Sequence, residues 1–115
     1  MSLTIYHNPR CSKSRQTLAL IREAGEEPNI RLYLDAPLTE AELRALLGQL
    51  GYDGPRPLLR KGEVVYKSMA LKTETDEAAL IAAMLRHPKL IERPIVSDGR
   101  QAIIGRPPEA VKALL

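Results

Sequence analysis

Leu3-Thr4-Ile5-Tyr6-His7-Asn8-Pro9-Arg10-Cys11-Ser12-Lys13-Ser14-Arg15 is the stretch on which the fold turns. Its first four residues are short and β-prone, and His7-Asn8-Pro9 reads as a turn closing a strand. From Ser12 the apolar or small positions Thr17, Leu18, Ile21 and Ala24 fall on one helical face, and Gly25 supplies a stop. Cys11 therefore stands between a strand and a helix. Unpaired N–H groups and the positive dipole end at a helix start favour an anion, so the thiol should ionise below its free value of about 8.5.

The neighbours of Cys11 strengthen this expectation. Arg10, Lys13 and Arg15 lie close to it in the chain, His7 precedes it, and each positive charge favours thiolate over thiol. Ser14 completes Cys-x-x-Ser, where the hydroxyl could donate to a thiolate but could not resolve a disulfide. A free cysteine is often just a small buried hydrophobe, but Pro9, Arg10, Ser12 and Lys13 are poor company for a core position.

Outward from this stretch, Asn29 to Leu34 alternates as a second strand. Thr39-Glu40-Ala41-Glu42 has the form of a capping box ahead of Leu43, Leu46, Leu47 and Leu50. A loop over Tyr52 to Pro57 leads to Leu58-Leu59-Arg60, and Thr73 to Arg86 carries another helical pattern. Pro94 to Ser97, a turn at Asp98-Gly99, and Arg100 to Ile104 read as a hairpin, after which Pro107-Pro108-Glu109 opens a last short helix. The order is β-α-β, a central helical stretch, then β-β-α. A helix-separated strand pair should be parallel and the hairpin antiparallel, so an α/β fold with a mixed sheet is expected.

Composition sets the boundaries. The chain has 115 residues, a net charge of +3 and 44% hydrophobic residues, with no repeat or linker at which to divide it. A single domain over 1–115 is expected, able to bury a core without staples. One cysteine and two histidines make a structural metal centre an unpromising reading, and no nucleotide or flavin motif is present, so no bound cofactor or metal is expected. There is no Lys/Arg run and no Phe or Trp to stack bases on, which argues against nucleic acid. No apolar run approaches the roughly 20 residues that span a bilayer, and the start of the chain lacks a secretory pattern. A reducing, cytoplasmic setting is the expectation.

Arg60, Arg93 and Arg106 each sit at the end of a predicted element, positions that can converge on one cleft. A guanidinium presents a fixed fork of donors suited to oxyanions.

Four co-linear motifs resemble one family: Tyr6-His7-Asn8-Pro9-x-Cys11-x-x-Ser14-Arg15, Leu58-Leu59-Arg60-Lys61, His87-Pro88-x-Leu90-Ile91-x-Arg93-Pro94-Ile95, and Arg106-Pro107. Together they resemble the glutaredoxin-dependent arsenate reductases of bacteria over essentially the whole chain. The resemblance implies a thioredoxin-like fold with a helical insertion, and sets Arg93-Pro94 where such domains carry a cis-proline beside the cysteine. It implies that Cys11 attacks arsenate, that Arg60, Arg93 and Arg106 bind the oxyanion, and that His7 and Ser14 support the thiolate. Glutathione would then attack as co-substrate, and glutaredoxin would reduce the resulting mixed disulfide, leaving arsenite. Two other readings remain: a redox-regulated binding module resembling regulators that bind RNA polymerase, although those commonly carry Cys-x-x-Cys, and a monothiol glutathione-dependent oxidoreductase with another substrate.

Overall fold

Strand β1 (Thr4–Tyr6) is the centre of the architecture. The computed structural model describes residues 2–115. On one side β1 pairs in parallel with β2 (Asn29–Arg31), with Ile5 opposite Ile30. On the other it pairs antiparallel with β3 (Ile95–Ser97), which continues into β4 (Ala102–Ile104). The order β2-β1-β3-β4 makes a mixed, four-stranded sheet. This is the α/β, thioredoxin-like arrangement expected from the sequence.

The chain divides into two compact units. One runs up to Ala36 and resumes over Arg93–Leu115; the other is Pro37–Glu92. In the first, helix α1 (Ser12–Glu23) is the crossover between β1 and β2. Its buried Leu18 and Ile21 meet Ile5 of β1, Val96 of β3 and Val111 of a closing 3-10 helix, Pro108–Leu114. Burying a side chain of this size stabilises by roughly 1.5–3 kcal/mol, so this cluster fixes α1 over the sheet.

The second unit is helical, matching the expected insertion. Helix α2 (Glu40–Leu50) carries the complete capping box: Thr39 Oγ1 accepts from the Glu42 N–H at 3.1 Å, and Glu42 Oε1 accepts from the Thr39 N–H at 2.9 Å. Gly51 closes it at φ 77, a left-handed conformation that glycine adopts without steric cost. Helices α3 (Val64–Ser68) and α4 (Glu77–Arg86) follow. Leu59 and Ile91 form an isolated antiparallel bridge, flanked by bonds from the Arg60 N–H to Leu90 O and from the Glu92 N–H to Leu58 O, 2.8 Å each.

Four local expectations are corrected. Strand β2 stops at Arg31 rather than Leu34, because the N–H groups of Asp35 and Ala36 both turn back onto Leu32 O. Helix α4 begins at Glu77 rather than Thr73, because the Asp76 side chain accepts from the Ala78 N–H and caps it there. The short α3 lies where no helix is expected. The hairpin tip is Gly99-Arg100 rather than Asp98-Gly99: the Asp98 N–H donates to Gln101 O, and its carboxylate accepts from the N–H groups of Arg100 and Gln101 at 2.8 Å. Gly99, at φ 93, supplies the positive φ at that tip. Among the described residues no helix is long and apolar enough to cross a membrane.

Candidate active site

The loop after β1 is held by its own backbone. The His7 N–H still pairs across to Arg31 O at 2.9 Å, after which Asn8 turns the chain: its Oδ1 accepts from the Arg10 N–H and its carbonyl from the Cys11 N–H, both at 3.0 Å. Cys11 then caps α1, extended at φ −94 and ψ 121, with its carbonyl accepting from the Arg15 N–H at 3.0 Å. Asparagine is favoured for such a turn because its side chain mimics the backbone acceptor. Sequence reasoning placed Asn8 in a turn but gave it no part in aiming the cysteine.

The Cys11 thiol is 8% exposed and is the chain's one thiol. Burial alone would push it up, since the anion loses its water. That effect is outweighed by the Ser14 N–H, by the hydrogen bond and charge of the Arg93 guanidinium, and by the Lys13 N–H, so the thiol titrates below its ordinary value. The N–H groups of the first turn of α1 thus act on the sulfur directly, beside the positive end of the helix dipole.

Two of the three sequence-selected arginines meet this sulfur. Arg106 Nη2 lies 3.6 Å from Cys11 Sγ, while its Nε donates to the Arg93 carbonyl at 2.8 Å. Both arginines precede a cis proline, Arg93-Pro94 and Arg106-Pro107. The tuning expected from the side chains of Arg10, Lys13 and Arg15 falls to other groups: Arg15 Nη1 donates to Pro9 O at 2.8 Å, Lys13 contributes its N–H, and Arg10 points into solvent.

Gly105 is the element that sequence reading overlooked. Its N–H donates to Pro94 O at 2.9 Å, and a Cβ there would fall onto Thr17 Oγ1 and lie 2.8 Å from Pro94 Cγ. Thr17 is itself fully buried on α1, with Oγ1 donating to Lys13 O at 2.8 Å. The bare backbone of Gly105 therefore lets the Arg106 segment approach the cysteine end of α1. Gly105→Ala is expected to destabilise the protein by about 1–3 kcal/mol, the usual effect of overpacking, with Arg106 drawn off the sulfur. Urea denaturation measures the first, and the pH profile of Cys11 alkylation reads the second.

His7 and Ser14 form a buried pair. His7 Nδ1 lies 2.6 Å from Ser14 Oγ, which also accepts from the Asn8 N–H at 3.1 Å. Burial, then the charges of Arg22 and Arg15, hold His7 below its ordinary pKa of 6.5. The imidazole is therefore neutral near pH 7. In the assignment that satisfies both groups, the Ser14 hydroxyl donates to Nδ1 and the ring proton sits on Nε2. Ser14 thus serves the sulfur through its N–H, while its hydroxyl ties the turn to α1.

This pair makes stability depend on pH. The folded chain protonates His7 less readily than the unfolded one, so the contribution is complete above about pH 6.5 and is lost as pH falls from there toward the folded value. A His7→Asn variant should lack that component. Denaturation of both proteins between about pH 5 and pH 7.5 is expected to show the steeper acid loss in the wild type; equal slopes would count against a neutral buried His7.

Arg60, the third selected arginine, belongs to the helical unit. Its Nη1 donates to Glu92 Oε1 at 2.6 Å, and its Nε lies 3.7 Å from Glu63 Oε2. Neither carboxylate stood out in the sequence, since the Glu92 partner lies 32 positions away. Among the described residues no group of His, Cys, Asp and Glu side chains could hold a metal ion.

The sequence model of the ArsC family matches residues 6–114. The uncharacterized protein YfgD of Escherichia coli K12 is 54% identical over 108 residues, covering 93% of this chain and 91% of its own. An arsenate reductase of Haemophilus influenzae is 47% identical over 116 residues, covering 100% of both chains. Among solved structures, an arsenate reductase from Vibrio cholerae superposes with a TM-score of 0.95 at 49% identity, covering 100% of this chain and 98% of that one.

Proposed function

Because the chain belongs to the ArsC family, we propose that it reduces arsenate to arsenite through a covalent adduct on Cys11, with glutathione and glutaredoxin as its reductants. The observation that carries this reading is one sulfur, held below its ordinary pKa, with Arg93 and Arg106 against it. Arsenate is anionic at neutral pH, and a thiolate must approach it against like charge. Two guanidinium groups offset that repulsion and meet the oxygens on which charge develops. The third oxyanion contact, Arg60, rests on the family resemblance, and its guanidinium is bound by Glu92 and Glu63.

The Cys11 thiolate attacks arsenic and displaces one oxygen, which leaves as water after taking up protons. A glutathione thiolate then attacks the Cys11 sulfur; the sulfur–arsenic bonding pair passes to arsenic, which goes from the +5 to the +3 state and departs as arsenite. Cys11 is left in a mixed disulfide with glutathione, the two thiols having supplied two electrons. Glutaredoxin reduces that disulfide and restores the thiolate. With a single cysteine in the chain, the second thiol has to come from outside. Glutathione is the main thiol pool of the reducing cytoplasm, which is where this reading places the protein.

The test is arsenate-dependent NADPH oxidation, run once with glutathione, glutathione reductase and glutaredoxin, and once with thioredoxin and its reductase. Turnover in the first system only is expected. Turnover in the thioredoxin system alone would replace the reductant, and none in either from folded protein would remove arsenate as the substrate.

A further inference from the structure

The helical unit contains a cavity of ≈ 570 Å³ that the proposed chemistry does not use, lined by Lys61, Tyr66, Lys67, Ala70, Lys72 and Thr73. Its walls are mainly apolar, and three ammonium-bearing chains reach it from three successive pieces of backbone: the segment before α3, α3 itself, and the 3-10 turn Leu71–Thr73. None of these lysines forms an ion pair among the described residues. No carboxylate lines the cavity. Glu63 faces Arg60, and Glu74, which with Glu77 lines a second hollow that Lys72 also borders, accepts from the N–H groups of Thr75 and Asp76.

Two further observations fall on the same place. Ala70, at φ 53 and ψ 39, is the one non-glycine residue at positive φ among the described residues, and it forms part of the cavity wall. A Cβ-bearing residue adopts that conformation only against a steric penalty, and such outliers concentrate at ligand sites. Tyr66, 5% exposed, accepts from Arg56 Nη1 at 3.2 Å and so retains its own phenolic proton for an acceptor.

We infer that this cavity is a binding site for a small organic anion with an apolar body and at least one acidic group, distinct from the Cys11 centre. Its volume suits a small organic molecule. A bare inorganic oxyanion would leave the apolar walls uncovered, whereas a neutral apolar molecule would make no use of the three exposed ammonium groups around it. An anion with an apolar body satisfies both. The assignment does not depend on the arsenate reading.

Anilinonaphthalene sulfonate, an apolar anion whose fluorescence rises on leaving water, is the probe. Saturable one-to-one binding is expected, weakening with salt and at least about tenfold weaker in the combined Lys61→Gln, Lys67→Gln, Lys72→Gln variant, from about threefold per exposed charge. Amide NMR shifts on binding should centre on residues 61–73. Unchanged affinity in the variant, non-saturable binding, or shifts centred on residues 7–15 would each overturn the site. Should the combined variant lose its native amide spectrum, Lys67→Gln alone, expected to weaken binding about threefold, decides between the same outcomes.

Discussion

Cys11→Ser is expected to reduce arsenate-dependent turnover to the uncatalysed background while leaving the protein folded. The loss follows from chemistry rather than from packing. A serine hydroxyl is not ionised at neutral pH, so the field that draws down the thiol has too little to act upon. Even an oxygen ester of arsenate could only hydrolyse, because the two-electron step requires sulfur to pass from thiol to disulfide. Retention of the fold follows from the local structure: Cys11 caps α1 in an extended conformation, and serine is among the preferred residues there. The variant should match or exceed the wild type in urea denaturation, by up to about 1 kcal/mol. Arsenite formation by a variant of undiminished stability would remove Cys11 from the reaction.

The parts of this molecule that were legible in the sequence are those decided within a few residues. The strand, turn and cysteine-capped helix could be read because Asn8, Pro9 and Gly25 punctuate them, and the capping box at Thr39 and Glu42 because both halves lie three positions apart. What escaped was decided by competition or by distance. Helix α3 has only five residues, too few to display a period. The helical pattern of α4 was read from Thr73, but the helix starts four residues later, where the Asp76 side chain accepts from the Ala78 N–H and the Glu74 carboxylate holds the N–H groups of Thr75 and Asp76 outside it.

The site shows the same division. The position of Cys11 on a helix start was local information, but the cation that most affects its proton is not one of the three beside it in sequence. Arg10 is exposed, Arg15 folds back onto Pro9 O and Lys13 contributes only its N–H, whereas Arg93 and Arg106, which flank the β3–β4 hairpin, are brought to the sulfur. Their place at the ends of predicted elements, together with the resemblance, picked out those two, where charge counting near Cys11 did not. Gly105 left no sequence signal, because its importance comes from the approach of Thr17, 88 positions earlier.

Replacing either hairpin arginine should lower kcat/KM strongly, and the two losses should differ in kind. Loss of one oxyanion-stabilising donor typically costs about 10²- to 10³-fold, and both Arg93→Ala and Arg106→Ala are expected in that range. Arg93 also favours the thiolate by hydrogen bond and by charge, so its removal should move the half-maximal pH of Cys11 alkylation upward toward the ordinary thiol value. Above that pH the thiolate is restored, and part of the activity should return. Arg106 touches the sulfur at 3.6 Å and also donates to the Arg93 carbonyl, so Arg106→Ala removes a charge and frees the segment that carries the other. Arg106→Lys keeps the charge but has no Nε to bond that carbonyl while reaching the sulfur; it should recover little of the loss. Full recovery by lysine would mean that Arg106 acts by charge alone, and an alkylation profile unmoved by Arg93→Ala would mean that the helix N–H groups hold the thiolate without it.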